Sequence, residues 1–370
     1  MKRNETIDLI KGLGIFLVVL GHSAFPLKSY IYLFHMPIFF MASGYCFNMK
    51  NSASSAALGQ YVGKKVKGLY VPYVLFNAIF WLSHNLLISL NICTDNPAFS
   101  APMQKLTFPQ LWARLNHCLH FNPGGTHQLA GADWFVLVLF YITLVFAAAC
   151  FITGLFKNRP LQHILLVLSG VAALLMGYAL QKKELSLEGF WTPAITGYSL
   201  YVLGFYLRSL PEKVNVFLEK AKYIILVAGI PLFYLAGKYG SISLNVNHFE
   251  TPLFLVGCSL LGWFWLQAWA HILVKIKYVK EFVVYLSKSS LFILFLHFIA
   301  FKAVSAIQVL VYKEEAYMLA SFPLLRTDGL WWIAYTVAGV LLPVAVKWGW
   351  DKLLLCIKNH CNRQQITEAN

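Results

Sequence analysis

Charged residues are scarce in this chain of 370 residues. Asp, Glu, Lys and Arg together make up 12% of the sequence, and 59% of its residues are hydrophobic. Soluble domains carry about 25% charged residues, so the composition excludes an ordinary soluble protein. Acidic residues are the scarcest, 15 against 30 Lys and Arg, and the formal net charge is +15. The basic residues are spread over several segments between apolar runs, which favours membrane topology and anionic lipid over nucleic acid as their explanation.

Several familiar sequence features are also missing. The seven cysteines include no CxxC pair and lie mostly in or beside apolar runs, so we predict neither a metal site nor a disulfide framework. No convincing signal-peptide cleavage site follows the first apolar run, which carries Asp8 and Lys11. No soluble domain, repeat or low-complexity tract is visible. We therefore predict one integral membrane domain, residues 1–350, followed by a short polar cytoplasmic tail, residues 351–370.

Long apolar runs are abundant. A transmembrane helix needs about 17 to 25 mostly apolar residues. With the N-terminus inside, 19 of the Lys and Arg residues fall on the inner side and nine on the outer side, as expected if cytoplasmic loops are enriched in them. We predict an all-α, polytopic membrane protein with about ten transmembrane helices and both termini in the cytoplasm. The ten runs lie near 7–25, 30–49, 69–91, 133–156, 161–180, 190–208, 222–238, 251–273, 282–306 and 330–346.

Three ionisable residues share one face of the first run, "IDLIKGLGIFLVVLGHS". At 100° per residue, Asp8, Lys11 and His22 project within about 40° of one another, and Lys11 and His22 are separated by roughly 16 Å along the helix axis. Each has an ordinary explanation: Asp8 caps the helix, Lys11 extends to the inner interface, and His22 bonds a neighbouring helix. Their alignment favours a functional role instead, because ionisable groups inside a membrane carry a free-energy cost.

Two of the other histidines in apolar runs are candidates for a functional role. His35 opens the second predicted helix in "IYLFHMPIFFMASGY" and is expected at the same outer depth as His22. His297 lies in the outer half of the ninth, in "LSKSSLFILFLHF". Taken alone, His297 is more readily explained as an interior histidine that bonds a neighbour than as a functional residue. The outer loop 94–132 is long and carries apolar side chains, which favours an ordered lid or rim.

These stretches carry a resemblance to a known family. The chain resembles the acyltransferase-3 superfamily and, within it, the fucose 4-O-acetylase-like branch. The leading signature, a basic residue, ten residues and a histidine, occurs here as "KGLGIFLVVLGH", with Lys11 where the superfamily mostly has arginine. Further matches follow in the same order along the chain. They are "FHMPIFFMASGY", "KKVKGLYVPY", "DWFVLVLF" and "SKSSLFILFLHF".

The resemblance implies acyl transfer from an acyl-coenzyme A, usually acetyl-CoA, to a carbohydrate hydroxyl. Acetyl-CoA would be a substrate rather than a permanently bound cofactor. Cytoplasmic acetyl-CoA is expected to place its phosphates among Lys11, Lys64, Lys65 and Lys67, with Asp8 holding the Lys11 ammonium. His22 would act as general base or as a transient nucleophile, assisted by His35.

The acceptor is expected on the outer side of a bacterial inner membrane. Capsule, O-antigen, exopolysaccharide and lipid-linked sugar all suit such a site, and no oligomeric state is predicted. A secondary transporter is the alternative, although paired broken helices with acidic residues at the membrane midplane, which are typical of transporters, are not apparent. The residues predicted to contact the acceptor are Trp134, Asp133, Asn245, Asn247, Glu250 and His297.

Overall fold

The computed structural model describes residues 4–368 of the chain, and helices dominate it. The described residues form fifteen α-helices and one two-stranded antiparallel hairpin, in which β1 (Ile242–Ser243) pairs with β2 (His248–Phe249). This confirms the all-α class. The helices are α1 (Glu5–His22), α2 (Lys28–Tyr32), α3 (His35–Tyr45), α4 (Ser55–Lys65), α5 (Val71–Ser89), α6 (Phe108–Leu119), α7 (Trp134–Gly154), α8 (Arg159–Lys182), α9 (Trp191–Leu207), α10 (Glu212–Lys220), α11 (Lys222–Tyr239), α12 (Pro252–Leu273), α13 (Lys277–Lys288), α14 (Ser290–Tyr312) and α15 (Trp331–Glu368).

Five helical segments are long and apolar enough to cross a membrane, so the chain is a multi-pass membrane protein. Each of the ten predicted runs overlaps a helix, whereas ten crossings and two cytoplasmic termini stay predictions. Lys2 and Arg3, which the count of inner charges includes, lie outside the described residues. The five segments are Ser55–Ser89, Trp134–Gly154, Arg159–Lys182, Pro252–Leu273 and Ser290–Tyr312.

Helix α1 is the structural centre of the site. It begins where the Asn4 side chain accepts a hydrogen bond from the Ile7 amide (3.3 Å), which satisfies one of the free N–H groups at the helix start. It packs against α3, α12, α13, α14 and α15. Gly12 permits the closest approach, since a methyl group there would lie 2.1 Å from the Val283 carbonyl oxygen of α13. α1 is therefore fixed from several sides, and so are the directions of its polar side chains.

Two predicted runs are broken into separate helices. The second run is interrupted at Leu33 and Phe34, and His35 is the first residue of α3. Pro37 explains this break, because its ring would clash with the Leu33 carbonyl in a continuous helix, whereas it is tolerated in a first turn. The predicted run 282–306 is divided at Ser289, so that the membrane helix α14 starts at Ser290.

Two segments that were predicted as a loop and a tail contain helices. The outer loop 94–132 contains helix α6, where Thr107 and Gln110 form a capping box. The predicted tail 351–370 is instead the continuation of helix α15 as far as Glu368, and its last two residues lie outside the described part of the chain.

Candidate active site

His22, the last residue of α1, is bonded to His297 of α14. The His22 Nδ1 and His297 Nε2 atoms are 3.0 Å apart. The rings are nearly parallel, at 7°, and their centroids are 5.1 Å apart, which suits an in-plane N–H···N bond. This contact joins the first predicted run to the ninth, a pairing that the spacing of residues along one helix did not indicate.

The proton positions in this pair follow from the partners of His297. Its Nδ1 lies 3.0 Å from the Ile293 carbonyl oxygen and 2.9 Å from that of Leu294. A carbonyl only accepts, so Nδ1 of His297 carries the hydrogen and Nε2 of the neutral ring accepts. His22 Nδ1 must then donate to His297, which leaves the lone pair on His22 Nε2 unshared with His297. His22 is thus held in the tautomer that a general base or nucleophile at Nε2 requires.

His35 has the same orientation of its ring nitrogens. Its Nδ1 donates to the Ile31 carbonyl (3.0 Å), so the lone pair of the neutral ring is again on Nε2. The Tyr32 ring lies near both histidines, with its centroid 5.0 Å from that of His35 and 6.4 Å from that of His22. Its hydroxyl donates to the Gly21 carbonyl (2.8 Å). Tyr32 therefore separates the two rings and keeps α2 against the end of α1.

His22, Tyr32 and His35 line one side of a cavity of about 230 Å³, which we call the histidine cavity. Trp134 of α7 and Asn245 of the hairpin line it as well. The half-buried His22 shares this cavity with the polar side chains of Ser243 and Asn245. The other lining residues are Met36, Gly131, Ala132, Ile242 and Leu244.

A second cavity of about 230 Å³, the lysine cavity, lies along the same face of α1. Lys11, Ile15 and Val18 line it and, with His22, form one stripe at spacings of four, three and four residues. Lys65 also lines this cavity. Met36 lines both cavities. The cavity at the lysine end of the stripe and the cavity at the histidine end therefore share one side chain.

The other predicted donor residues lie nearby but differ in exposure. Lys64 and Lys67 are exposed and are not among the residues that line the lysine cavity. Asp8 is half-buried, one helical turn before Lys11. Of the four predicted lysines, the structure therefore brings Lys11 and Lys65 into a common cavity. Lys64 and Lys67 are exposed outside that cavity.

Asp133 is fully buried, between Ala132 and Trp134 of the histidine cavity. Its Oδ2 accepts a hydrogen bond from Asn77 Nδ2 (2.7 Å), and Asn77 Oδ1 accepts from the His127 amide (2.9 Å). The side chain of Asp133 thus holds α5 against the segment before α7, whereas the adjacent Trp134 lines the histidine cavity. The sequence did not indicate this role of Asn77, which is recognisable there only as a polar residue in an apolar run.

The His127 ring extends this buried network. Burial lowers its pKa to about 3, so the ring is neutral near pH 7. Its Nδ1 accepts from the Leu129 amide (3.2 Å), which places the hydrogen on Nε2, where it donates to His84 Nδ1 (3.2 Å). His84 Nε2 then donates to the Gln104 carbonyl (2.9 Å). The network fixes the segment that carries Gly131 and Ala132, two residues of the histidine cavity.

The predicted polar residues of the hairpin have distinct positions. Asn245 is exposed and lines the histidine cavity. Asn247 is buried, accepts from Thr196 Oγ1 (2.5 Å) and donates to the Gly177 carbonyl (2.9 Å), so its side chain anchors the hairpin. Glu250 accepts from the Ser241 amide (3.2 Å) at the base of the hairpin. Asn245 is the one of these three that faces the histidines.

Together, the fold and this site define a membrane protein with a bonded pair of histidines beside one cavity and two lysines in a second cavity along the same helix. The model of the acyltransferase domain family matches residues 4–348. The chain therefore belongs to this family, the acyltransferase-3 family, and is a membrane acyltransferase. Comparisons with curated proteins and with solved structures give no match.

Proposed function

We propose that the protein is an O-acetyltransferase of the bacterial inner membrane, which moves an acetyl group from cytoplasmic acetyl-CoA to a hydroxyl of a cell-envelope carbohydrate. One observation carries the proposal: His22, whose Nδ1 is bonded to His297 and whose lone pair is on Nε2, lines a cavity that shares the side chain of Met36 with the lysine cavity. The site thereby offers a base between a cationic pocket for the donor and a polar pocket for the acceptor.

The donor binds from the lysine end. Lys11 and Lys65 supply positive charge for phosphate groups, and the exposed Lys64 and Lys67 raise the local concentration of an anionic ligand. Ile15 and Val18 offer an apolar wall for the pantetheine arm. The axial distance of roughly 16 Å from Lys11 to His22 is then covered by the arm, which brings the thioester to His22.

In the transfer step, His22 Nε2 accepts the proton of the acceptor hydroxyl as its oxygen attacks the thioester carbonyl. The new C–O bond forms, the C–S bond breaks, and the departing thiolate takes the proton from the imidazolium. The bond from Nδ1 to His297 orients the ring and disperses the positive charge. In the alternative route, Nε2 attacks the carbonyl first, and the C–S bond breaks to release the CoA thiolate. The acceptor oxygen then attacks the acyl-imidazole, the C–N bond breaks, and the proton of the hydroxyl passes to His35 Nε2. His35 Nε2 is placed to accept from the acceptor hydroxyl in either route.

The acceptor binds from the outer side. Trp134 supplies an aromatic surface and Asn245 an amide, a combination suited to sugar rings. Capsule, O-antigen, exopolysaccharide and lipid-linked sugars all present hydroxyls to such a cavity. His297 supports His22, and Asp133 and Asn247 keep the walls of the cavity in place.

The test combines a glycan measurement with a donor assay. Envelope glycans from cells with and without this gene are compared by mass spectrometry, and CoA release from acetyl-CoA is followed with the purified protein in nanodiscs. Loss of one acetyl ester per repeat together with CoA release supports the proposal. Unchanged glycans and no CoA release contradict it, and solute uptake into proteoliposomes would then identify the protein as a transporter.

A further inference from the structure

A larger cavity adjoins the histidine cavity on the outer side. It has a volume of about 710 Å³ and is enclosed by the end of α8, the connection to α9 and the hairpin residues 245–248. We call it the rim cavity. Asn245 lines both the rim cavity and the histidine cavity, so the two cavities are neighbours on either side of one exposed side chain.

The two volumes differ in what they can hold. Pockets for small ligands and cofactors measure about 300–1,000 Å³; the histidine cavity, at 230 Å³, is below that range and the rim cavity, at 710 Å³, is within it. The histidine cavity therefore suits one ring of a ligand, whereas the rim cavity has room for further rings that are attached to it.

The walls of the rim cavity combine apolar side chains with carboxylate and amide groups. Glu184 and Glu188 contribute exposed carboxylates, which accept hydrogen bonds from hydroxyls, and Phe190 contributes an aromatic surface. None of the residues lining this cavity is Lys or Arg. The carboxylates would repel a uronate or phosphate group on the ligand, while neutral hydroxyls are accepted.

The backbone around the rim cavity is held in an unusual conformation. Glu184 (φ 53°), Phe190 (φ 64°) and Asn247 (φ 54°) have left-handed backbone angles, which are uncommon for residues other than glycine. The Asn247 side chain and the pairing of Gln181 with both backbone groups of Phe249 keep the walls together. The cavity is consequently preformed and needs little rearrangement to receive a ligand.

We propose that the rim cavity binds the sugar residues next to the one that is acetylated, so that the acceptor is a neutral glycan of at least two sugars. The inference rests on the proposed function, because the acetylated hydroxyl must lie at His22. It adds a second acceptor subsite, a dependence on acceptor length, and a preference against acidic glycans.

The test uses fragments of the de-O-acetylated envelope polysaccharide of the producing cell, separated into lengths of one and three sugars. The wild-type protein in nanodiscs should show a kcat/KM about tenfold higher for the longer fragment. Ser186→Trp, which fills the rim cavity from the α8–α9 connection, should reduce this ratio to about one. Val246→Trp fills it from the hairpin and should do the same, since Val246 is 68% exposed and its replacement disturbs no core packing.

Lys183→Trp is the matched control, because Lys183 is exposed on the same connection but does not line the cavity. It should keep the tenfold ratio. A wild-type ratio near one, or a ratio that both Ser186→Trp and Val246→Trp leave unchanged, overturns the proposal.

A binding measurement separates failure of this inference from failure of the proposed function. If the wild-type protein acetylates neither fragment, the proposed function is contradicted, and fragment binding to the His22→Ala protein in nanodiscs decides the role of the cavity. Tighter binding of the three-sugar fragment, lost in His22→Ala/Ser186→Trp, supports the second subsite. Equal binding of both lengths overturns it.

Discussion

At the scale of single residues, the direction of the hydrogen bonds determines which nitrogen of His22 can react. The carbonyls of Ile293 and Leu294 fix the hydrogen of His297 on Nδ1, and that in turn fixes the hydrogen of His22 on Nδ1. The sequence identified His22 by its alignment with Lys11. It did not identify His297 as the partner, because periodicity shows which residues share a face and not which faces of distant helices meet.

The first residue-scale prediction concerns His297. Replacing it with Ala removes the acceptor for His22 Nδ1–H, and we expect kcat for acetyl transfer to fall about 100-fold, the lower end of what a correctly oriented base contributes. His297→Gln, which retains an accepting oxygen, should recover much of this loss. Equal activity of the Ala and Gln variants at equal amounts of folded protein would argue against a positioning role.

A second prediction concerns the donor end. Lys11→Met should raise the KM for acetyl-CoA about tenfold or more, since a charged hydrogen bond contributes about 1.5–3 kcal/mol, and should leave the KM for the acceptor unchanged. Lys11→Arg keeps the charge and should be tolerated. Lys213→Met is the control, because Lys213 is exposed on α10 and does not line the lysine cavity. An unchanged KM for acetyl-CoA in Lys11→Met would remove the donor-binding role.

A third prediction concerns His127, whose pKa is lowered by burial to about 3 in the folded protein. Because the unfolded ring has a pKa near 6.5, the unfolded state binds the proton first and stability falls as the pH decreases from about 6.5 towards 3. Between pH 7 and pH 5 the loss from this ring approaches about 2 kcal/mol. Thermal unfolding in detergent at both pH values should show a smaller difference for His127→Gln than for the wild type.

At the scale of helices, the sequence predicted the positions of the apolar segments more accurately than the residues at which the helices begin and end. The second run was predicted as one helix, and the structure has a complete break before His35. The break places His35 at a helix start, where its Nδ1 bonds back to Ile31 of the preceding helix. The division at Ser289 was not expected, because residues 277–306 carry no proline or glycine that would signal it.

Close packing of α1 against α13 gives a prediction at this scale. Gly12→Ala would place a methyl group 2.1 Å from the Val283 carbonyl oxygen, so the helices must separate, and we expect a loss of about 1–3 kcal/mol. The matched control is Gly63→Ala in α4, where no atom lies within 4 Å of the added group. Thermal unfolding should show a lower Tm than the wild type for Gly12→Ala and not for Gly63→Ala. Equal Tm values for the two variants would contradict the close packing of α1 against α13.

At the scale of the whole molecule, the sequence predicted a helical membrane protein with one reactive stripe along α1, and the structure extends this to two cavities that meet at Met36. The cavities could not be predicted, because their walls come from helices far apart in the chain, such as α3, α7 and α14. The same holds for Asp133, whose buried bond to Asn77 depends on how α5 packs beside α7. The acyltransferase family, in contrast, was recognisable from short stretches that are continuous in sequence.

The central claim is that His22 performs acetyl transfer between the two cavities. It is tested most directly by comparing the wild type with His22→Ala for acetylation of the envelope glycan, with membrane insertion and Tm measured in parallel. We predict that a folded, inserted His22→Ala protein transfers no measurable acetyl group, since alanine can neither accept the proton of the acceptor hydroxyl nor attack the thioester. A folded His22→Ala protein that retains most of the wild-type activity would contradict the account.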